Sequence, residues 1–409
     1  MRCGLLGGKL GHSYSPQIHS YLGDYSYALY EKSPQELEDF LMSGDFSGLN
    51  VTIPYKKAVI PYCHALSDRA KQLGAVNTLV RQPDGKLIGH NTDYFGFTSM
   101  VKKSGLALRG KKALVLGSGG ASVTAVAVLQ EMSADVIVIS RNGENHYGNL
   151  ARHGDAAVIV NATPVGMYPT VDASPIDLDL FPNLEGVLDL IYNPARTQLL
   201  MDAQKRGLVT ENGLWMLVAQ AKESAEWFTG RAIDDSAIGK IYQTLRRQME
   251  NIVLIGMPGS GKSTVGQLLA TRMGKRFIDA DTAITEKAGK SIPEIFAEFG
   301  EAGFRSIETA VLEELGKTSG LVIATGGGCV TRPENYPHLH RNGTIIWLQR
   351  EIETLPTDGR PLSQAGSLAQ MYQVREPLYS AFADCCVDNN SATEDAVAAL
   401  LERLEKEDT

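Results

Sequence analysis

The chain has 409 residues, a net charge of −8, 43% hydrophobic and 21% charged residues. That length exceeds one ordinary core and points to two or three domains. The acidic balance argues against nucleic acid, whose affinity rests on many Lys and Arg contacts to phosphate. No apolar run approaches the roughly 18 residues that a membrane span needs, and the start, MRCGLLGGKLGHS, lacks a signal-peptide pattern. The five cysteines, Cys3, Cys63, Cys329, Cys385 and Cys386, are scattered and form no C-x-x-C. Neither a disulfide framework nor a zinc site follows, and a cytoplasmic protein is expected.

In chain order, Cys3–Leu6 reads as a short apolar strand, followed by Ser13-Tyr14-Ser15-Pro16-Gln17-Ile18-His19. Two hydroxyls at alternate positions, ahead of a proline that opens a helix, would face one pocket. The strand Leu49-Asn50-Val51-Thr52-Ile53 ends at Pro54, which forces a turn and sets Lys56 just past a strand end. Gly74-Ala75-Val76-Asn77-Thr78 and Gly89-His90-Asn91-Thr92-Asp93 each read as a strand edge carrying a polar residue. Lys56, Asn77 and Asp93 thus follow successive strands. Ala113–Leu116 reads as a buried parallel strand opening into Gly117-Ser118-Gly119-Gly120-Ala121-Ser122, and Asp135–Ile139 as the next strand, ending in Ser140-Arg141-Asn142. An NAD site would place Asp or Glu there for the ribose hydroxyl. A neutral residue and then Arg141 suit a 2′-phosphate instead, which favours NADP.

Leu188–Pro194 reads as a strand that carries Tyr192 to the sheet edge, and Gly213–Gln220 starts a helix. Met216 and Gln220, four apart, share one face of it; Gly213 and Met216 are expected against the cofactor. Helical sequence over Asp234–Glu250 runs almost directly into a strand at Ile252–Ile255, with no Gly/Ser- or Pro-rich linker. Gly256, Gly261, Lys262 and Ser263 then satisfy G-x-x-x-x-G-K-[ST], the phosphate-cradling loop. Its backbone N–H groups, with those of Gly259, Ser260 and Thr264, would bind ATP. Lys262 would reach the β- and γ-phosphates and Ser263 would ligate Mg²⁺. Phe277–Asp281 reads as a strand with Asp279 and Asp281 on one side. Arg305 falls on a helix, Gly326-Gly327-Gly328 after the strand Val322–Thr325, Arg360 in a loop and Arg375 on a helix.

The ordered motifs S-x-S-P-x-x-H, N-V-T-x-P-x-K, G-A-V-N-T and N-T-D resemble the substrate domain of shikimate dehydrogenases, over essentially the first 249 residues. The resemblance implies that Ser13, Ser15, Thr52, Asn77, Asp93, Tyr192 and Gln220 contact substrate, with Lys56 and Asp93 the catalytic pair. It also places Gly117, Gly119, Gly120, Ala121 and Arg141 on NADP. Ser20 departs from the asparagine that the family usually shows after the histidine. The motifs D-x-D, G-E-x-x-F-R-x-x-E, G-G-G, R-P-L and R-x-P-L-Y behind the phosphate loop resemble shikimate kinase over 251–409. There Asp279 would assist Mg²⁺, Asp281 would take the hydroxyl proton, and Arg305 and Arg375 would clamp the carboxylate. Gly326, Gly327 and Gly328 would line the ring site, and Arg360 would sit on a lid and stabilise the transferring phosphoryl group. The stretch Ile352–Asp358 is short and lacks a basic residue often found there in the family.

The organisation implied is α/β throughout. A substrate part (1–100 and about 215–249) surrounds a Rossmann part (101–214), followed by a three-layer P-loop domain over 250–409. The function implied is bifunctional: NADPH-dependent reduction of 3-dehydroshikimate to shikimate, then Mg·ATP-dependent phosphorylation to shikimate 3-phosphate, on the route to chorismate. The alternatives are a quinate/shikimate dehydrogenase using NAD, and one half serving as an inactive regulatory module. The sequence leaves monomer and homodimer open.

Overall fold

A computed structural model describes residues 1–11, 13–355 and 368–406. They fall into two units, Met1–Tyr242 and Gln243–Thr409, the division lying within the helix Ser236–Met249.

Among the described residues the first unit carries two sheets. One is mixed: β1 (Arg2–Gly7), β2 (Ser26–Glu31), β3 (Gly48–Val51), β4 (Ala65–Leu66), β5 (Thr78–Arg81) and β6 (Leu87–His90), in spatial order β2-β1-β3-β5-β6-β4. β1 and β3 are almost wholly buried and mostly apolar, with Asn50 the buried polar member of β3, whereas β2 is a largely exposed edge. β5 runs antiparallel to both neighbours, with Thr78 opposite Asn50 of β3 and His90 of β6. The carboxyl ends of β3 and β6 and the amino end of β5 therefore share one edge.

The other sheet is parallel: β7 (Lys112–Leu116), β8 (Asp135–Ile139), β9 (Val158–Asn161), β10 (Gly186–Asp189) and β11 (Val209–Glu211), in order β11-β10-β9-β7-β8. Alternate residues of β7 feed two cores. Ala113 and Val115 pack with Phe97, Met100 and Val128, and Leu114 and Leu116 with Ile139, Phe181 and Val187. The chain reverses direction across the sheet between β7 and β9, the place where such sheets bind nucleotides.

The second unit is built on β12 (Asn251–Ile255), β13 (Arg276–Asp279), β14 (Leu321–Ala324), β15 (Gly343–Gln349) and β16 (Cys385–Asp388), all parallel, in order β13-β14-β12-β15-β16. Central β12 is buried throughout, and burying each of its branched aliphatic side chains contributes about 1.5–3 kcal/mol. Its switch points flank β12 on both sides.

Some local expectations change, the first being the strand over Leu188–Pro194, which stops at Asp189 and leaves Tyr192 in the segment beyond it. Asn77 precedes β5 instead of following a strand, because β5 is the antiparallel member. β13 stops at Asp279, and Asp281 lies in the first turn of the helix Ala280–Ala288. The two carboxylates are therefore related by a strand-to-helix turn and not by a pleat. The helix Ile292–Lys317 is broken at Gly300, whose φ of +67° only glycine adopts readily. No described helix is long and apolar enough to cross a membrane.

Candidate active sites

At the shared edge of the mixed sheet, Lys56 stands in the turn after β3, Asn77 immediately before β5, and Asp93 at the start of the helix Asp93–Ser104 that follows β6. Lys56 Nζ donates to Asp93 Oδ2 at 2.6 Å, and the Asn77 amide donates to Asp93 Oδ1 at 2.9 Å. Both oxygens of one carboxylate are thereby engaged, and the ammonium is held beside it with side-chain exposures of 25% and 11%. Such a pair can hand a proton to an oxygen while keeping local charge balanced.

Gln220 enters from the helix Leu214–Thr229, where its Oε1 faces the Asn77 amide at 3.5 Å. That approach needs Gly96: a Cβ there would lie 2.7 Å from Met216 O and 2.9 Å from Gln220 Cβ. Beneath the site runs a buried polar network. Tyr27 OH donates to Asn50, Asn50 donates to Ser224, and Ser224 meets Thr78 and Thr92, each at 2.9 Å or less. Thr92 N in turn donates to Asn77 Oδ1 at 2.7 Å. A filled network of this kind fixes rotamers that an apolar floor would leave free.

Ser15 is buried at the start of the helix Ser15–Ser20, and its N–H donates to Ser13 Oγ at 3.2 Å. His19 anchors this helix by stacking on Tyr27 at 4.0 Å, and burial depresses its pKa to about 3. Thr52 sits in the turn that Pro54 enters through a cis bond, its N–H bonded to Leu6 O. Tyr192, its pKa raised by burial, meets Tyr14 edge-on at 6.3 Å.

The turn after β7 begins at Gly117, whose φ of +104° and N–H bond to Ile139 O tie it to the end of β8. A Cβ on Gly117 would strike Thr163 and Ala162, whereas Gly119 and Gly120 have nothing within 4 Å. This open glycine face, with Ala121 behind it in the first turn of the helix Gly120–Glu131, fits a bound diphosphate. Ser122 closes the turn by donating to Gly117 O at 2.6 Å. Arg141 is exposed two residues past β8, at the rim where a ribose phosphate would lie. Gly213 caps the helix that carries Met216, with no room for a side chain against Leu190 O.

The second unit holds a cavity of about 800 Å³ that brings together nearly all the other predicted residues. Gly256, Gly259 and Gly261 all have positive φ, of 145°, 87° and 91°. Lys262 Nζ donates to Gly256 O and Met257 O, both at 2.8 Å, so its charge is held over the loop. Thr264 lines the same cavity, and Ser260 is buried beneath the loop, its carbonyl accepting from Asn389. Ser263 Oγ donates to Asp279 Oδ2 at 2.6 Å. A hydroxyl and a carboxylate converging beside a phosphate loop are a donor set that fits Mg²⁺.

Three consecutive glycines form the far wall. A Cβ on Gly326 would lie 2.9 Å from Asp281 Oδ1 and 2.8 Å from Glu308 Oε1. One on Gly327 would lie 2.6 Å from Pro258 of the phosphate loop, and one on Gly328 would overlap the Arg305 guanidinium. Arg305 and Arg375 are both buried. Arg305 donates to Glu308 at 2.7 Å, and Arg375 to Gly327 O at 3.2 Å. Burial raises the Glu308 carboxyl while Arg305 pulls it back. Arg305 also meets the exposed Glu301 at 3.5 Å, whereas Arg375 forms no ion pair among the described residues, which leaves its charge for an anionic ligand. Glu308 and Tyr379, which also donates to Gly327 O, stood inside the sequence motifs without a role of their own. Arg360 lies outside the described residues.

The family description "Shikimate dehydrogenase substrate binding domain" matches residues 5–79, and "Shikimate kinase" matches residues 258–405. A shikimate dehydrogenase (NADP(+)) of Clostridium perfringens is 33% identical over 265 residues, 59% of this chain and 97% of the relative. Shikimate dehydrogenase 1 of Peptoclostridium difficile has a solved structure at 37% identity and a TM-score of 0.56, covering 60% of this chain and 97% of that one. The shikimate 5-dehydrogenase of Thermus thermophilus, solved in complex with NADP(H) and shikimate, follows at 32% identity and a TM-score of 0.55, with coverages of 60% and 99%. With the Rossmann-type parallel sheet in the first unit and the phosphate loop in the second, the chain belongs to the shikimate dehydrogenase family and carries a shikimate kinase domain behind it in sequence, a fusion of two shikimate-pathway enzymes.

Proposed function

We propose that the first half, residues 1–249, reduces 3-dehydroshikimate to shikimate with NADPH, and that 250–409 phosphorylates the hydroxyl so made, giving shikimate 3-phosphate. The observation that carries this reading is the Lys56–Asp93 pair at 2.6 Å, on the same sheet edge as Asn77 and Gln220. Lys56 gives its proton to the carbonyl oxygen as that oxygen becomes a hydroxyl, and Asp93 holds the ammonium in place. Ser13, Ser15, Thr52, Asn77, Tyr192 and Gln220 bind the ring substituents around this pair. NADPH, bound on Gly117, Gly119, Gly120, Ala121 and Arg141 with Gly213 and Met216 at its reactive end, supplies the hydride. The open faces of Gly119 and Gly120 support that placement.

In the second half, Arg305 and Arg375 grip the substrate carboxylate beside Gly326, Gly327 and Gly328, and Asp281 accepts the hydroxyl proton. Lys262 neutralises charge on the transferring phosphoryl group, with Arg360 assigned to the same task. Mg²⁺ held by Ser263 and Asp279 would supply further positive charge at the phosphates.

A coupled assay with 3-dehydroshikimate, NADPH and Mg·ATP tests both halves by scoring oxidised cofactor and phosphorylated product together. Lys56→Ala should lower reduction by about 10²–10⁴-fold and spare the kinase; Lys262→Ala should do the reverse. Loss of neither activity would overturn the assignment, and a preference for quinate with NAD⁺ over shikimate with NADP⁺ would replace the first half's substrate and cofactor.

A further inference from the structure

The end of β15 lies against the phosphate loop, since a Cβ on Gly256 would stand 2.6 Å from Leu348 O. The next residue, Gln349, accepts from Asn389 N at 2.8 Å, and Asn389 Nδ2 donates to Ser260 O at 2.7 Å. One step further on, Arg350 lines the cavity that also holds Lys262, Ser263 and Thr264. It is half-buried, its Nε is shut off from solvent, and that donor meets no acceptor among the described residues.

Arg305 Nε is likewise buried without an acceptor among the described residues, and it is the remainder of the guanidinium that sets Arg350 apart from the other arginines of the cavity. Arg305 pairs with Glu308, and Arg375 is bonded to Gly327 O. Arg350 forms no ion pair among the described residues, although two carboxylates, Glu351 and Glu353, follow it closely in sequence. Keeping a guanidinium donor from water with nothing to receive it is costly. The cost is offset if a ligand brings the acceptor. Residues 351–355 add no base, so among the described residues Arg350 is the cation at this edge of the loop.

We propose that Arg350 is a nucleotide-binding residue of the kinase half, its guanidinium donating to the polyphosphate from the β15 side of the loop. The proposal rests on the kinase reading above. The planar fork of arginine suits phosphate oxygens, which can accept two parallel bonds. The carboxylate clamp is already supplied by Arg305 and Arg375 near Gly326–Gly328, whereas the strand that leads into Arg350 abuts Gly256.

The test uses the full chain with Arg350→Ala and Arg350→Lys. Arg350→Ala should raise KM for ATP about 10–100-fold, leave KM for shikimate within about twofold, and leave reduction of 3-dehydroshikimate unchanged; Arg350→Lys should recover part of the loss. Inorganic tripolyphosphate, tested as a competitor of ATP and by calorimetric titration, should weaken by the same factor in Arg350→Ala. Unchanged KM for ATP overturns the proposal, as does a loss confined to ATP with tripolyphosphate unaffected, which would place the contact on the base. If wild-type protein phosphorylates no shikimate, the kinase reading fails. The titration with tripolyphosphate then still decides the role of Arg350.

Discussion

Gly119 and Gly120 face open space, whereas Gly256 and Gly261 face protein. A Cβ on Gly256 would meet Leu348 O at 2.6 Å and one on Gly261 the Asn389 amide at 2.6 Å, both at positive φ. Gly119 has ordinary extended backbone, with φ −82° and ψ −175°. The two glycine turns thus look alike in sequence and differ in purpose. In the dehydrogenase half the glycines past Gly117 keep room for a ligand. In the kinase half they let the loop take its shape at all. The supports differ as well. Gly117 leans on Ala162 and Thr163, beside Asn161, which donates to the buried Asp189 at 3.0 Å. The phosphate loop leans on a backbone carbonyl and a neutral amide.

The largest effect that could break this contrast is Gly261→Ala. It should abolish phosphorylation and destabilise the second unit by about 1–3 kcal/mol from backbone strain alone, read as a lowered unfolding midpoint with reduction intact. Arg141→Ala sharpens the ligand side. Preference for NADPH over NADH should fall about 10–100-fold, the worth of one charged hydrogen bond, measured as the ratio of the two kcat/KM values. Gly119→Ala should raise KM for NADPH about tenfold, equivalent to about 1.4 kcal/mol, with the unfolding midpoint unmoved. If it destabilises as much as Gly261→Ala, the distinction fails.

A further effect appears only against pH. Burial raises the Asp189 carboxyl to about 6. The folded chain therefore holds a proton that the unfolded chain has already released, and stability falls as pH rises from about 4 to 6. Asp189→Asn keeps acceptor and donor positions for Asn161, Ile191 and Thr197 while removing that dependence. Relative to wild type, the variant should gain up to about 2–3 kcal/mol across the window, measured by urea unfolding at both ends. An unchanged difference would put the support on the same non-titrating footing as the phosphate loop.

What could be read from the sequence was whatever local spacing controls. The phosphate loop was legible because its glycines, lysine and serine are fixed by one strand-to-helix turn, and Asp135–Ile139 came out with the bounds the structure gives it. Lys56, Asn77 and Asp93 were legible as motifs and the family resemblance paired Lys56 with Asp93, but the route by which they meet was not legible from spacing. It depends on β5 running antiparallel to both neighbours, a property of topology and not of period. The Tyr27–Asn50–Ser224–Thr78–Thr92 floor left no signal, since each member is an ordinary polar residue until the fold buries it. Arg350 was invisible for a related reason. An arginine one residue past a strand reads as a solvated charge, and only the packing of β15 against Gly256 gives it a wall to stand on. In the helix Asp93–Ser104, Gly96 offered the one clue that another helix comes close.

The wall formed by Gly326, Gly327 and Gly328 has a pharmacological corollary. Each of the three abuts a different part of the proposed site, and a side chain added there meets an acid, the phosphate loop or an arginine. If the proposed kinase roles hold, an inhibitor shaped to lie flush against that surface would face a target in which a side chain added there shifts one of those groups, so resistance would be expected first at the cavity's other margins.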